Sequence, residues 1–173
     1  MTWAPTPEKK ADVLFSDPVI LHTKVFFHLK EFPFDWASLK DLKGLRIGAT
    51  KEYTYGDEFD RAAKKGTISV EFVPRDIQNL KKLLGGRFDV FPSDIDVGYD
   101  LLNANFIPAD ISRVTHHPKP IQQTGTCVIL TKSAPEKSQH LLERFNRGLE
   151  KLKANGEYHR MLEAARRGAY QPK

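Results

Sequence analysis

Thr54 and Asp94 are the side chains of this chain best suited to holding a small charged solute. Thr54 lies in Asp41-Leu-Lys-Gly-Leu-Arg-Ile-Gly-Ala-Thr-Lys-Glu-Tyr-Thr-Tyr-Gly56, and Asp94 closes Gly85-Gly-Arg-Phe-Asp-Val-Phe-Pro-Ser-Asp94. Each stretch reads as an apolar strand running into a polar turn, and open α/β sheets gather ligands at the carboxyl ends of their strands. A hydroxyl among the amides of Tyr53 to Gly56, at the start of a helix, suits a carboxylate. A carboxylate at a neighbouring strand end suits an ammonium. The pair fits a zwitterion, which points to binding before catalysis. Both side chains have a second use, because Ser, Thr, Asp and Asn commonly cap helices: Thr54 the helix starting near Asp57, Asp94 the helix that follows it. Glu52 opposes the attraction of the turn for an anion, and Asp89 is expected to pair with Arg87.

Chemistry of other kinds finds little support. The sequence has no nucleophile elbow, no His-Glu-x-x-His helix, no Walker loop and no glycine-rich fingerprint after a strand. No catalytic residue and no cofactor is therefore expected. His116-His117 is the one adjacent histidine pair, but it precedes a proline and lacks the ligand spacing of a metal site. Cys127, the single cysteine, lies in the apolar run Thr126-Cys-Val-Ile-Leu130 and reads as a buried structural thiol.

Positioning Thr54 and Asp94 requires an alternation of strands and helices. The sequence predicts strands over 23–29, 45–49, 68–73 and 88–91, with helices over 57–65, 76–84 and 94–102. Gly66 and Gly85-Gly86 stop the first two helices. Pro18 marks a bend and the segment 31–43 a connector. Such short connections indicate a mostly parallel sheet. Beyond it, 112–120 reads as extended and 125–132 as a strand. A long helix from Pro135 carries Leu141, Leu142, Phe145, Leu149 and Leu152 on one face and ends at Asn155-Gly156, before a second amphipathic segment.

Composition permits one ordinary domain or two small lobes: 173 residues, 40% hydrophobic, with 27 Lys and Arg against 22 Asp and Glu. The excess of five positive charges is scattered in short pairs, the pattern of a solvated surface and not of a nucleic-acid interface. No apolar run approaches the roughly 18 residues that span a membrane, and the polar N-terminus lacks the apolar stretch of a signal peptide.

Several motifs in order resemble the type 2 periplasmic solute-binding proteins of the polar amino-acid family. They are Thr6-Pro-Glu-Lys-Lys-x-x-Val-Leu-Phe-Ser-Asp-Pro18, the Thr54-Tyr-Gly turn, Asn79-Leu-x-x-Leu-Leu-x-Gly-Arg-Phe-Asp89 with Asp94, Leu130-Thr-Lys-Ser, and Phe145-Asn-x-Gly-Leu-x-x-Leu-Lys-x-x-Gly-x-Tyr158. The resemblance implies an α/β fold of the periplasmic-binding-protein-like II type, with two lobes that each hold a central, mostly parallel sheet. Lobe 1 is expected to be incomplete, since the chain starts just before the Thr-Pro-Glu segment. Residues 1–29 would hold the lobe 1 fragment and first crossover, 30–113 lobe 2, and 114–173 the second crossover and the return to lobe 1.

The resemblance also implies roles. Asp94 would take the ligand ammonium and Thr54 its carboxylate. Lys9 falls where the family has a carboxylate-clamping arginine, and lacks that residue's planar fork. Thr2 and Ala4 fall on hydroxyl contacts, and Glu52 stands where the family has glycine. The expected function is non-catalytic binding of a small polar solute, an amino acid, between lobes for delivery to the membrane subunits of an ABC transporter. The expected location is periplasmic. Self-association through the incomplete lobe is a further expectation. The alternatives are a sensory domain of a larger receptor, or a shortened form that no longer binds.

Overall fold

A computed structural model of the chain describes residues 2–3, as backbone, and residues 12–170. It forms two compact units: unit 1 draws on Met1–His22 and Gln123–Ala164, and unit 2 on Thr23–Gln122 and Ala165–Lys173.

Unit 2 is organised around strand β3 (Ile20–Leu29), which begins in unit 1 and enters unit 2 at Thr23. Val25, Phe26, Phe27 and Leu29 are all buried, and the alternation of a strand sends them to opposite sides of the sheet. Phe26 joins one apolar cluster with Trp36, Leu42, Tyr55 and Phe59. Val25, Phe27 and Leu29 join another with Leu80, Leu83, Phe91 and Leu102. A strand covered on both faces must be apolar throughout, and β3 is so from Val25 to Phe27.

Strand β4 (Ile47–Thr50) is buried at all four residues. It runs parallel to β5 (Val70–Val73) and to β6 (Val90–Asp94), while β6 and the short β7 (Val114–His116) pair with β3 antiparallel. Helix α1 (Asp57–Lys64) buries Phe59 and Ala62 on one face of the sheet. Helices α2 (Asp76–Leu84) and α3 (Ile95–Asn105) bury Leu80, Leu83, Ile95 and Leu102 on the other, and the short α4 (Pro108–Ile111) follows α3. The packing leaves no space at Gly48, where a Cβ would lie 2.2 Å from the Phe88 ring and 2.5 Å from Asn79 Oδ1.

Two local expectations need correction. The strand expected over 88–91 instead runs from Val90 to Asp94 and passes through Pro92. Proline removes a ladder donor, but β4 registers with β6 at Ile47 and Val90, before Pro92 is reached. Asp89 pairs with Arg46 and not with Arg87: the Arg46 amide and Nε donate to Oδ2 at 2.7 and 3.1 Å, and Nη2 donates to Oδ1 at 2.5 Å. The planar guanidinium meets the carboxylate with both edges engaged, and holds the Asp89 pKa below the usual carboxylate range.

In unit 1, β1 (Thr2–Trp3) and β2 (Val13–Phe15) pair antiparallel with β8 (Gln122–Thr131). Helix α5 (Pro135–Ala154) buries Leu142 and Leu149, and α6 (Glu157–Arg166) follows, its last two residues counted in unit 2. The bend at Pro18 is fixed by side chains from these helices: Lys153 Nζ donates to Pro18 O at 2.7 Å, and the Tyr158 hydroxyl donates to Val19 O at 2.8 Å. Leu141 and Phe145 on α5 remain 43% and 38% exposed. Cys127 is buried, and burial pushes its thiol pKa up.

Candidate binding site at the strand ends of unit 2

Parallel β4 and β6 end on the same edge of unit 2, and the polar residues that follow them gather there. Residues 51–56 link β4 to α1, and Thr54 lies exposed within them. The turn is anchored from inside. Tyr55 is 1% exposed, and its hydroxyl accepts the Thr50 amide at 2.8 Å. Burial pushes the Tyr55 pKa up to about 12, so the phenol is neutral at any physiological pH. The Thr50 hydroxyl donates to Asp76 Oδ1 and accepts from Asn79 Nδ2 at 2.9 Å, which ties the end of β4 to the first turn of α2.

The amides of this turn are less available than the sequence suggests. Tyr53 N donates to Thr50 O at 3.4 Å, Tyr55 N to Asp60 Oδ1 at 3.0 Å, and Gly56 N to Thr54 Oγ1 at 3.5 Å. Of the four from Tyr53 to Gly56, Thr54 alone keeps an amide without an acceptor among the described residues. Asp60, one turn into α1, reaches back and takes a donor that a ligand would otherwise meet. The cap of α1 is Gly56, at φ 107°, and not Thr54. Glu52 stands at φ 66°, a left-handed conformation that favours glycine. Tyr53 is 57% exposed, its ring 6.4 Å from that of Tyr55.

Asp94 ends β6 and caps α3. Its Oδ1 accepts from Asp96 N at 3.0 Å and Val97 N at 3.3 Å. A residue that the sequence did not single out lies against both strand ends. Lys24 on β3 is the cross-strand partner of Asp94, and its Nζ donates to Thr54 O and, at 3.2 Å, to Gln122 Oε1. Its signal was the one lysine in that strand, directly before the apolar run Val25 to Phe27. Of the remaining expected site residues, Thr2 lies in β1 opposite Val128 and Lys9 lies outside the described residues.

A cavity of about 660 Å³ adjoins this cluster, walled by the connector at Trp36, the start of α1 at Gly56, and residues Lys119 to Gln122. Neither Thr54 nor Asp94 lines it. Asp57 and Glu58 do, and their charges disfavour a carboxylate there. The cavity therefore lacks both of the side chains that the sequence singles out for a zwitterion, and the strand-end cluster holds them.

Among the described residues no group of three His, Cys, Asp or Glu could hold a metal ion. The histidine pair is engaged elsewhere: His116 Nδ1 is 2.8 Å from the Tyr99 hydroxyl, and His117 Nε2 is 2.9 Å from Asp35 Oδ1. No helix is long and apolar enough to cross a membrane among those residues.

The pattern of the bacterial extracellular solute-binding proteins, family 3, matches residues 1–164. The chain belongs to this family. Its members bind solutes outside the cytoplasm. No curated protein matches the chain. Among solved structures, substrate binding domain 2 of GlnP from Lactococcus lactis, in an open conformation, is 22% identical with a TM-score of 0.72. That alignment covers 93% of this chain and 65% of the GlnP domain. The substrate-binding protein of a polar amino acid ABC uptake transporter from Streptococcus thermophilus is also 22% identical, with a TM-score of 0.70 over 90% of this chain and 57% of that one. AbpA of Streptococcus pneumoniae, an amino acid ABC transporter substrate-binding protein solved with L-arginine, is 20% identical at a TM-score of 0.54 over 98% and 67%. These likenesses establish the fold. The chain spans about two thirds or less of the length of each of these structures.

Proposed function

We propose that the chain binds a small zwitterion, an amino acid, at the strand-end cluster of unit 2, and serves as a receptor for an ABC transporter. The observation that carries this reading is the convergence of Asp94, at the end of β6, with the Thr54 turn, at the end of the adjacent parallel strand β4. A carboxylate ending one strand meets the ammonium. The hydroxyl and unused amide of Thr54 meet the opposite end of the solute. Family membership and the transporter receptors among the similar structures support delivery to membrane subunits.

Asp94 has two tasks under this reading, and they separate chemically. Capping needs an oxygen acceptor and tolerates asparagine, whereas pairing with an ammonium needs the charge. A thermal-shift screen of the whole chain against the twenty L-amino acids tests the function, since a solute that binds only the folded state raises the melting temperature by mass action. At least one amino acid is expected to stabilise the chain. No shift with any of them at millimolar concentration contradicts the proposal.

A further inference from the structure

We propose that Lys24 receives the carboxylate of the bound amino acid. The inference rests on the amino-acid reading above, and assigns the anion end of the solute to a residue on the strand that enters unit 2 from unit 1.

An ammonium carries three protons. Lys24 Nζ directs one at Thr54 O and one at Gln122 Oε1. Both acceptors are neutral, so they fix the nitrogen in place and leave its charge uncancelled. None of the ion pairs among the described residues includes Lys24. The Tyr55 ring, centred 5.9 Å away, adds a weak cation–π contact on another side. A half-buried cation held by two neutral oxygens and an aromatic face, with a proton to spare, is arranged to meet an anion.

The register gives the anion its place. Lys24 is paired with Asp94 across the antiparallel β3–β6 ladder, and side chains directly opposite in such a ladder leave the same face, with Cβ atoms about 5 Å apart. No ion pair joins the two. Lys24 turns instead toward the Thr54 carbonyl and Gln122. The edge therefore presents a carboxylate and an ammonium as neighbours, which complements a molecule whose own ammonium and carboxylate are separated by one carbon. Glu52, Asp57 and Glu58 on the same turn and helix start oppose a free anion. They favour a solute that brings its own positive charge.

The competing account makes Lys24 a clamp that only holds the Thr54 turn against Gln122. A clamp and a ligand contact differ in what they do to a solute that lacks the carboxylate. The probes are the twenty L-amino acids and, for each that binds, the amine missing only its α-carboxylate: agmatine for L-arginine, 4-aminobutanamide for L-glutamine. Titration calorimetry of Lys24→Met is expected to show affinity for the amino acid reduced at least tenfold and affinity for the amine changed less than twofold. Equal weakening of both, or no change in either, overturns the assignment of Lys24 and leaves the amino-acid reading standing. If no L-amino acid binds the wild type, that reading fails and the assignment with it. Lys24→Gln keeps a donor for Thr54 O and is read by the same ratio, so a methionine variant that does not fold does not decide the matter.

Discussion

Tyr55→Phe removes one oxygen from the interior of unit 2, and its cost follows from the surroundings. The hydroxyl accepts the Thr50 amide at 2.8 Å, with Tyr55 1% exposed and Thr50 3% exposed. Phenylalanine fills the same apolar space against Phe59 and Phe26, so little packing is lost. The Thr50 amide, in contrast, is left buried without an acceptor. An orphaned buried donor costs about 1–3 kcal/mol, and in a chain of this size each kcal/mol lowers the melting temperature by roughly 2–4 °C. Unfolding in urea followed by tryptophan fluorescence measures the change, because Trp36 packs in the same cluster. Since the phenol titrates only near 12, the deficit should be the same from pH 6 to pH 9. A variant whose stability matches the wild type within roughly 0.5 kcal/mol would refute the view that this bond anchors the turn.

Three other outcomes follow from named contacts. Glu52→Gly relieves a left-handed residue at φ 66°; the strain removed exceeds the backbone entropy lost, and a gain of about 0.5 kcal/mol is expected in thermal unfolding, so a lower melting temperature would tell against it. Asp89→Asn destabilises at neutral pH, because Arg46 holds the folded-state pKa of Asp89 low. That stabilisation is present above the unfolded carboxylate pKa of about 3.9 and is lost as pH falls through the lower folded value, so the gap between variant and wild type should close below about pH 4; a gap constant from pH 7 to pH 3 would contradict this. His28 is buried and its pKa is lowered by burial. The unfolded state then takes up a proton near 6.5 that the folded state resists, so the wild type should lose stability as pH falls from about 6.5, and His28→Phe should flatten that slope in pH-dependent melting curves.

Periodicity and punctuation carried the strand-helix alternation of unit 2 because each signal is local. Asp76 begins a helix whose leucines repeat at helical spacing, and Gly85-Gly86 stops it; both are visible in a window of ten residues or so. The same logic set Asp94 at a strand end and Thr54 in the turn that follows one. What the sequence concealed depended on pairing between distant segments. Lys24 reads as a charge in a strand until the β3–β6 register sets it opposite Asp94, and register is a property of two strands at once. The choice of Arg46 over Arg87 for Asp89 has the same origin, since the register of Ile47 with Val90 sets the residues just before β4 and β6 side by side. Asp60 reaching back to the Tyr55 amide was harder still to read, because a carboxylate in a first helical turn is ordinarily explained by the helix dipole alone.

Asp94 is proposed to hold a ligand ammonium in addition to capping α3. Calorimetric titration of wild type and Asp94→Asn with an L-amino acid that raises the melting temperature tests it most directly. Asparagine keeps the cap and removes the charge, so a folded variant is expected whose affinity falls roughly 10- to 150-fold, the equivalent of losing one charge-assisted hydrogen bond of about 1.5–3 kcal/mol. Undiminished affinity in a folded Asp94→Asn would show that Asp94 only caps the helix.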